Sequence, residues 1–245
     1  MSRIEKPLAF AKEAKSDAQA ARKKNRFDEA EDIMTEAVED LESNMRDLHD
    51  EARSGERAKE IARALSDSYG TLGGIRRSAG RYEKSADAYD EGEKIESDRA
   101  FGIVDSYNLT QRLVARVLID PLCLVQEHMT IKKADFPDAL SAAERKVTDQ
   151  IEGPRINDPW AQADRALILL LLGRESEEQD AWAHLRNMKP PAFVFGSTLN
   201  VVRDLRRRIV EVAETAPSGS RLRGYADRLA AVTRLLEEAE KQPPG

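Results

Sequence analysis

Cys123 and His128, five residues apart, are the nearest approach in this sequence to a nucleophile and its base. A thiolate beside an imidazole can carry acyl transfer. The same two residues also read as a half-buried cysteine and a surface histidine in a connecting segment. The three histidines, His49, His128 and His184, each stand without a His or Cys three or four residues away, so metal-ligand spacing is missing. Gly73-Gly74 does not open a phosphate loop; it falls inside a helical pattern, where close packing accounts for it. Carboxylates are spread along the whole chain and no acid pair stands out. These residues lead to the expectation of a non-catalytic protein without metal or cofactor.

Two other sets could bind rather than react. Arg203, Arg206, Arg207 and Arg208, followed by Arg221, Arg223, Arg228 and Arg234, form a basic run, but Asp204, Glu211 and Glu214 dilute it. A solvated face fits it better than a nucleic-acid patch. The second set needs a fold to bring it together: Arg77, Ser78, Asn108, Gln111, Arg112 and Arg116.

The elements that must position these residues are helices. The 245 residues are 34% charged and only 5% aromatic, with 13 Gly and 10 Pro, a balance suited to long amphipathic helices. The net charge of −6 argues against a dedicated nucleic-acid binder. One cysteine allows no intramolecular disulfide and suggests a reducing, cytoplasmic setting. The N-terminal stretch lacks the pattern of a secretory signal, and the longest apolar run, Ala166–Leu172, is too short to span a bilayer.

The stretch from Ser66 to Ser97 reads as two helices joined at Ala79-Gly80-Arg81, with Gly80 in the left-handed conformation that ends a helix. Gly73, Ser85 and Gly92 let the helices approach, while Tyr69, Leu72, Tyr82 and Tyr89 fill the space around them. Asn25-Arg26-Phe27 repeats the turn, with Ala30, Met34 and Ala37 at the positions of Ser85, Tyr89 and Gly92. That second helix carries one stripe through Leu41, Met45, Leu48 and Ala52 until Ser54-Gly55 breaks it. Ser97-Asp98 is expected to cap a helix holding Phe101, Val104, Tyr107, Leu113 and Val117, ended by Asp120-Pro121. A helix from Phe136 pairs with it. Trp160 to Pro190 is a third copy, turning at Gly173. Its apolar run needs cover on every side, expected from two C-terminal helices, one capped at Ser197 and one starting near Ser220. Gln242-Pro243-Pro244-Gly245 is expected to fray.

The central unit resembles one tetratricopeptide repeat, an antiparallel helix pair of about 34 residues. The resemblance rests on Tyr69, Leu72, Gly73, Gly80, Tyr82, Tyr89 and Ile95. Arg76 departs from it where a Tyr is usual, as do Ser85 and Gly92 where Ala is usual. It implies an all-α, right-handed superhelix over residues 1–245, with repeats about 8–54, 57–97, 99–152 and 159–190 and capping helices about 197–240. The first helix of each pair would line a concave groove. Gly70, Thr71, Gly74, Arg77 and Ser78 would face it from one helix, and Asn108, Gln111, Arg112 and Arg116 from the next. Arginine and asparagine there would suit carboxylates or peptide amides; the same residues also fit a plain solvated face.

Asp158-Pro159-Trp160, the Leu-rich helix, Gly173-Arg174, Met188-Lys189-Pro190-Pro191 and Phe193-Val194-Phe195-Gly196-Ser197 resemble the TRAF-binding, helical-repeat region of stress-activated MAP kinase kinase kinases and its bacterial relatives. Leu72-Gly73-Gly74-Ile75 and Ser106-Tyr107-Asn108-Leu109 are similar to it too. This resemblance implies a regulatory module that recruits or controls a signalling or defence effector. No kinase motif accompanies it here, so the effector would sit on another chain. The expected partner is a protein and the expected state a monomer or homodimer. A sensor binding a small molecule or nucleotide in the same groove is the alternative.

Overall fold

The computed structural model describes residues 5–47, 55–125, 135–215 and 219–241. Among them the protein is all-helical, with adjacent helices packed in pairs and no strand. The chain divides into two compact units, Met1–Ala115 and Arg116–Gly245.

In the first unit α1 (Glu5–Lys23) packs on α2 (Phe27–Arg46), α2 on α3 (Glu56–Ser78) and α3 on α4 (Tyr82–Ser97); α1 also touches α3. The cause is a stripe of small residues. Ala11, Ala14, Ala18 and Ala21, spaced by three and four, are buried against Ala30, Met34, Ala37 and Leu41 of α2 and Ile61, Leu65, Leu72 and Ile75 of α3. Alanine lets helix backbones approach, and each fully buried Leu, Ile or Met contributes about 1.5–3 kcal/mol.

The turns repeat in detail. Gly80 has φ 75° and Asn25 φ 58°, both left-handed. Arg81 N donates to Arg76 O (2.9 Å) and Gly80 N to Arg77 O (3.0 Å); Arg26 N donates to Ala21 O (3.0 Å) and Asn25 N to Arg22 O (2.9 Å). These bonds satisfy carbonyls that a helix end leaves open. The residue after each turn opens the next helix in one conformation, φ/ψ −90/69° at Arg26 and −89/64° at Arg81.

Arg76, the departure from the tetratricopeptide pattern, donates to Glu31 Oε1 on α2 (2.9 Å) and to Lys84 O (3.2 Å). Arg81 pairs with Glu31 and Asp28. Burial alone would raise the Glu31 carboxyl, but the hydrogen bonds from Arg81 and Arg76 outweigh it and hold the group below its ordinary value.

Several boundaries differ from the sequence expectation. α2 closes at Arg46, and the continuation of its stripe through Leu48 and Ala52 to Ser54 lies outside the described residues. No helix starts at Ser97-Asp98: Gly102 turns the chain with φ 59°, and α5 (Tyr107–Ile119) begins nine residues beyond Asp98. Asp105 is the cap instead, accepting from Ser106 N (2.6 Å) and Tyr107 N (2.9 Å). The division between the units falls inside α5, within the stretch 99–152 that the sequence groups as one repeat.

In the second unit a 3-10 turn (Pro121–Leu124) precedes α6 (Asp135–Ile151), which packs on α7 (Pro159–Leu172). α7 packs on α8 (Glu175–Asn187), and α9 (Ala192–Ala213), which also touches α7, packs on α10 (Gly219–Glu240). Gly173 at φ 75° makes the third turn of the series, with Arg174 N on Leu169 O (3.1 Å) and φ/ψ −86/73° at Arg174. Ala166 through Leu171 are all buried. α10 covers the end of this run: Tyr225 OH donates to Leu171 O (3.4 Å), and Arg228 donates to Leu170 O (3.3 Å) and pairs with Glu178. Ser197 caps nothing; α9 starts at Ala192, where Pro191 supplies the entry conformation, and Ser197 lies exposed within the helix. Residues 242–245, expected to fray, lie outside the described residues. No helix among the described residues is long and apolar enough to cross a membrane.

Candidate functional site

The first unit gathers its buried polar groups where α3, α4 and the start of α5 meet. Three glycines make the room. A Cβ on Gly73 would stand 2.6 Å from the Tyr89 ring, one on Gly92 2.5 Å from the Asn108 amide, and one on Gly70 3.0 Å from the Tyr107 ring. Tyr89 and Asn108 therefore occupy space that only a glycine opposite can leave. Ser85, the other small residue, donates to Gly73 O (2.8 Å). Tyr89 and Tyr107 meet edge to face with centroids 6.1 Å apart.

Asn108 is the hub. It is 1% exposed, and its Nδ2 donates to Ser66 O (3.2 Å), Ser66 Oγ (3.1 Å) and Glu96 Oε1 (2.5 Å). Ser66 Oγ also donates to Glu96 Oε1 (2.9 Å). A carboxylate this deep is tolerable because hydrogen bonds replace part of its lost hydration. Asn108 Oδ1 takes no hydrogen bond from any described residue. Above this network opens a cleft of about 580 Å³, lined by Arg63, Ser66, Asp67 and Glu96 on one side and by the segment Gly102 to Asn108 on the other. Val104, 47% exposed, and Tyr107, 36% exposed, stand at its edge. Part of the Tyr107 ring is thus exposed. Burial around its hydroxyl nevertheless pushes the phenol well above its ordinary value, against the opposing pull of Arg77 and Arg22.

The expected groove residues are not assembled as the sequence suggested. Arg77, at 4% exposure, and Gln111, at 3%, are buried, as is Asn108. Arg77 sits beside Tyr107, not on an open wall. Arg112 reaches back to α4, where Glu93 accepts from its Nε and Asp90 lies 3.8 Å away. Ser78 folds onto its own helix, donating to Gly74 O (2.9 Å). Arg116 is exposed and belongs to the second unit. The expectation that these residues face one open concave groove is therefore corrected for Arg77, Asn108, Gln111 and Arg112. α5 starts late, at Tyr107, so the face holding Asn108 and Gln111 turns inward, while Glu93 on α4 supplies the partner for Arg112.

The residues that sequence reasoning missed are Ser66, Asp67, Glu96, Val104 and Asp105. Glu96 carried a signal: Ser85, Tyr89, Gly92 and Glu96 step by four, three and four, so a carboxylate continues the buried stripe that the sequence reading ended at Ile95. Asp105 carried another, as a capping residue one position before a serine.

Other candidates lead elsewhere. Cys123 is half-buried in the 3-10 turn and in no disulfide, and His128 lies outside the described residues, as does His49. His184 is exposed on α8. Among the described residues no group of His, Cys, Asp or Glu is placed to hold a metal ion. The basic run of α9 is tied to acids: Arg203 to Glu237 (2.6 Å), Arg207 to Asp204 (3.3 Å) and Arg208 to Glu211 (3.0 Å). Of the Lys-Pro-Pro-x-aromatic string, Val194 and Phe195 are buried, while Phe193 is 63% exposed against Trp160. Comparison with protein-family models, with characterised proteins and with solved structures yields no match for this chain.

Proposed function

We propose that this protein is a non-catalytic interaction module of the tetratricopeptide type, a right-handed stack of helix pairs that recruits or regulates an effector carried on another chain. The observation that carries the reading is the repeated turn. Asn25, Gly80 and Gly173 share left-handed backbone, and the three residues that follow them share a single helix-entry conformation. A repeating pair that cannot bury both faces alone is the grammar of a scaffold, whose work is to present surface. The contact of α1 with α3 supports it, because it lays the first helices of successive pairs side by side. The similarity to the regulatory repeat region of stress-activated kinase kinase kinases favours a signalling or defence effector and a cytoplasmic setting, with the module acting as monomer or homodimer. The surface assigned to the partner is the cleft beside α3 and α4, with Val104 and Tyr107 at its edge.

The cleft volume, about 580 Å³, lies within the range of small-molecule pockets. That observation favours, as a second reading, a sensor of a small ligand at the same place.

Photo-cross-linking in the native cell discriminates. A benzophenone side chain is installed at Val104 and, as a control, at Arg206 on the exposed face of α9. The interaction reading expects a discrete protein adduct from position 104 and none from 206. Adducts of equal pattern from both positions, or none from 104, would remove the cleft as the partner surface.

A further inference from the structure

The segment between α4 and α5 changes character at Gly102. Before it, residues 99–102 form a turn, tied by Phe101 N on Asp98 O (3.1 Å). After it, residues 103–106 belong to no helix or turn. Burial alternates along this stretch. Phe101 is buried on Ala58 and Ala62 of α3, and Ile103 is half-buried against the same cluster. Gly102 and Val104, between and beyond them, are exposed, and Asp105 is half-buried. Sides that alternate with a period of two belong to a strand, not to a helix. No strand lies among the described residues to pair with it. Its main chain is accordingly open: Gly102, Ile103 and Val104 make no main-chain hydrogen bond to any described residue. The groups that follow are already used, since Ser106 N and Tyr107 N donate to Asp105 Oδ1 and Ser106 O accepts from Thr110 N. Main-chain groups shut away from water without a partner are rare, so those of 102–104 face solvent, and all three residues line the cleft.

A short row of open N–H and C=O groups, on a segment whose side chains point alternately in and out, complements one kind of partner. A residue in a strand can exchange both of its main-chain hydrogen bonds with the residue opposite it, and an exposed edge of this kind is where an extended chain adds itself. A helix cannot supply the match, because its own N–H and C=O groups are bonded within it. A single side chain offers no row of donors and acceptors. We infer that the cleft receives an extended stretch of a partner protein's main chain, paired as an added strand with the segment at Ile103 and Val104. This rests on the interaction reading above and specifies the form in which the partner is presented. Recognition then runs through peptide groups, with the exposed Val104 side chain packing beside the added chain.

The test is amide hydrogen exchange on the full chain, isotope-labelled and read by NMR. In the free protein the amides of Ile103 and Val104 are expected to exchange within about tenfold of an unstructured chain, while Leu113 inside α5 is slowed by orders of magnitude. The probe is a capped pentapeptide of alternating threonine and valine. At saturation it should slow one of the two amides about tenfold or more and spare its neighbour, because successive residues of a strand face opposite edges. Two N-methylated versions, blocked at residues 2 and 4 or at residues 1, 3 and 5, each close one edge of the peptide. One is expected to bind like the parent peptide and the other about tenfold more weakly or worse. Protection of both amides before any peptide is added, equal binding of all three peptides, or no slowing at millimolar peptide would overturn the inference. Slowing that grows with protein concentration alone would overturn it in favour of a second copy of this chain on the edge. A protein adduct from position 104 together with a silent pentapeptide would sink the added strand alone and leave the interaction module standing.

Discussion

A Cβ placed on Gly73 would stand 2.6 Å from Cε1 of Tyr89, a ring that is wholly buried between α3 and α4. A glycine inside a helix normally costs about 0.5–1 kcal/mol relative to alanine, so Gly73→Ala would stabilise an open position. Here the ring cannot yield, and Gly73→Leu is expected to cost about 1–3 kcal/mol through overpacking. Thermal melting checks it; an unchanged melting temperature would place Gly73 on an open face.

Gly92 and Asn108 form a second such pair, with 2.5 Å between a Cβ at 92 and the amide. Gly92→Ala should destabilise the protein, and Asn108→Ala should cost about 1–3 kcal/mol by stripping Ser66 and Glu96 of their donor. Combined, the two changes should cost less than their sum, since the clash needs Asn108. Denaturant titration of the four proteins measures the coupling, and strict additivity would contradict the contact.

The Glu31 carboxyl is held below its ordinary value of 4.5 by Arg81 and Arg76 against the opposing effect of burial. The unfolded chain therefore takes up this proton more readily. The stability Glu31 contributes is fully present above the unfolded value and is lost as the pH falls through the folded one. Glu31→Gln should lower stability at neutral pH by about 1–3 kcal/mol, with the gap to the parent closing in acid. Urea midpoints from neutral pH down to the acid limit follow it; a gap independent of pH would deny Glu31 that role.

Reversing Arg77 and Arg112 tests the corrected groove. Arg77 is buried and Arg112 pairs with Glu93. Arg77→Glu places a carboxylate where a cation was packed, and breaking a buried charge arrangement costs about 3–5 kcal/mol. Circular dichroism is expected to show lost helicity or early melting. Normal folding of Arg77→Glu would restore the open-wall picture.

Much of the architecture was legible in the sequence, because three helix pairs, α1 with α2, α3 with α4 and α7 with α8, announce themselves by a turn residue that tolerates left-handed backbone. Asn25 did so as clearly as Gly80 and Gly173. The tolerance of Gly73, Ser85 and Gly92 for close approach was legible for the same local reason. The start of α5 was not. Ser97-Asp98 and Asp105-Ser106 are both capping signals, and what decides between them is Gly102, whose turn sends the segment 98–106 around the cleft before the helix begins. That delay sets which face of α5 is buried, so the binding residues read from the sequence were assigned to the wrong environment. Ser197 was misplaced similarly: Pro191 enters α9 earlier, and a serine inside a helix carries the same letter as one that caps it.

The central claim is that a partner enters the cleft at Val104. Val104→Arg measures it most directly. The position is 47% exposed and outside any helix, so the fold should be indifferent to the change, while the new guanidinium would reach the acidic wall of its own cleft and fill it. The measurement is the yield of the cross-linked partner species co-purified with the Val104→Arg chain beside the parent and Arg206→Glu, with helicity monitored throughout. The account predicts loss of the partner from Val104→Arg at full helicity and parental yield from Arg206→Glu. Parental yield from Val104→Arg would contradict it.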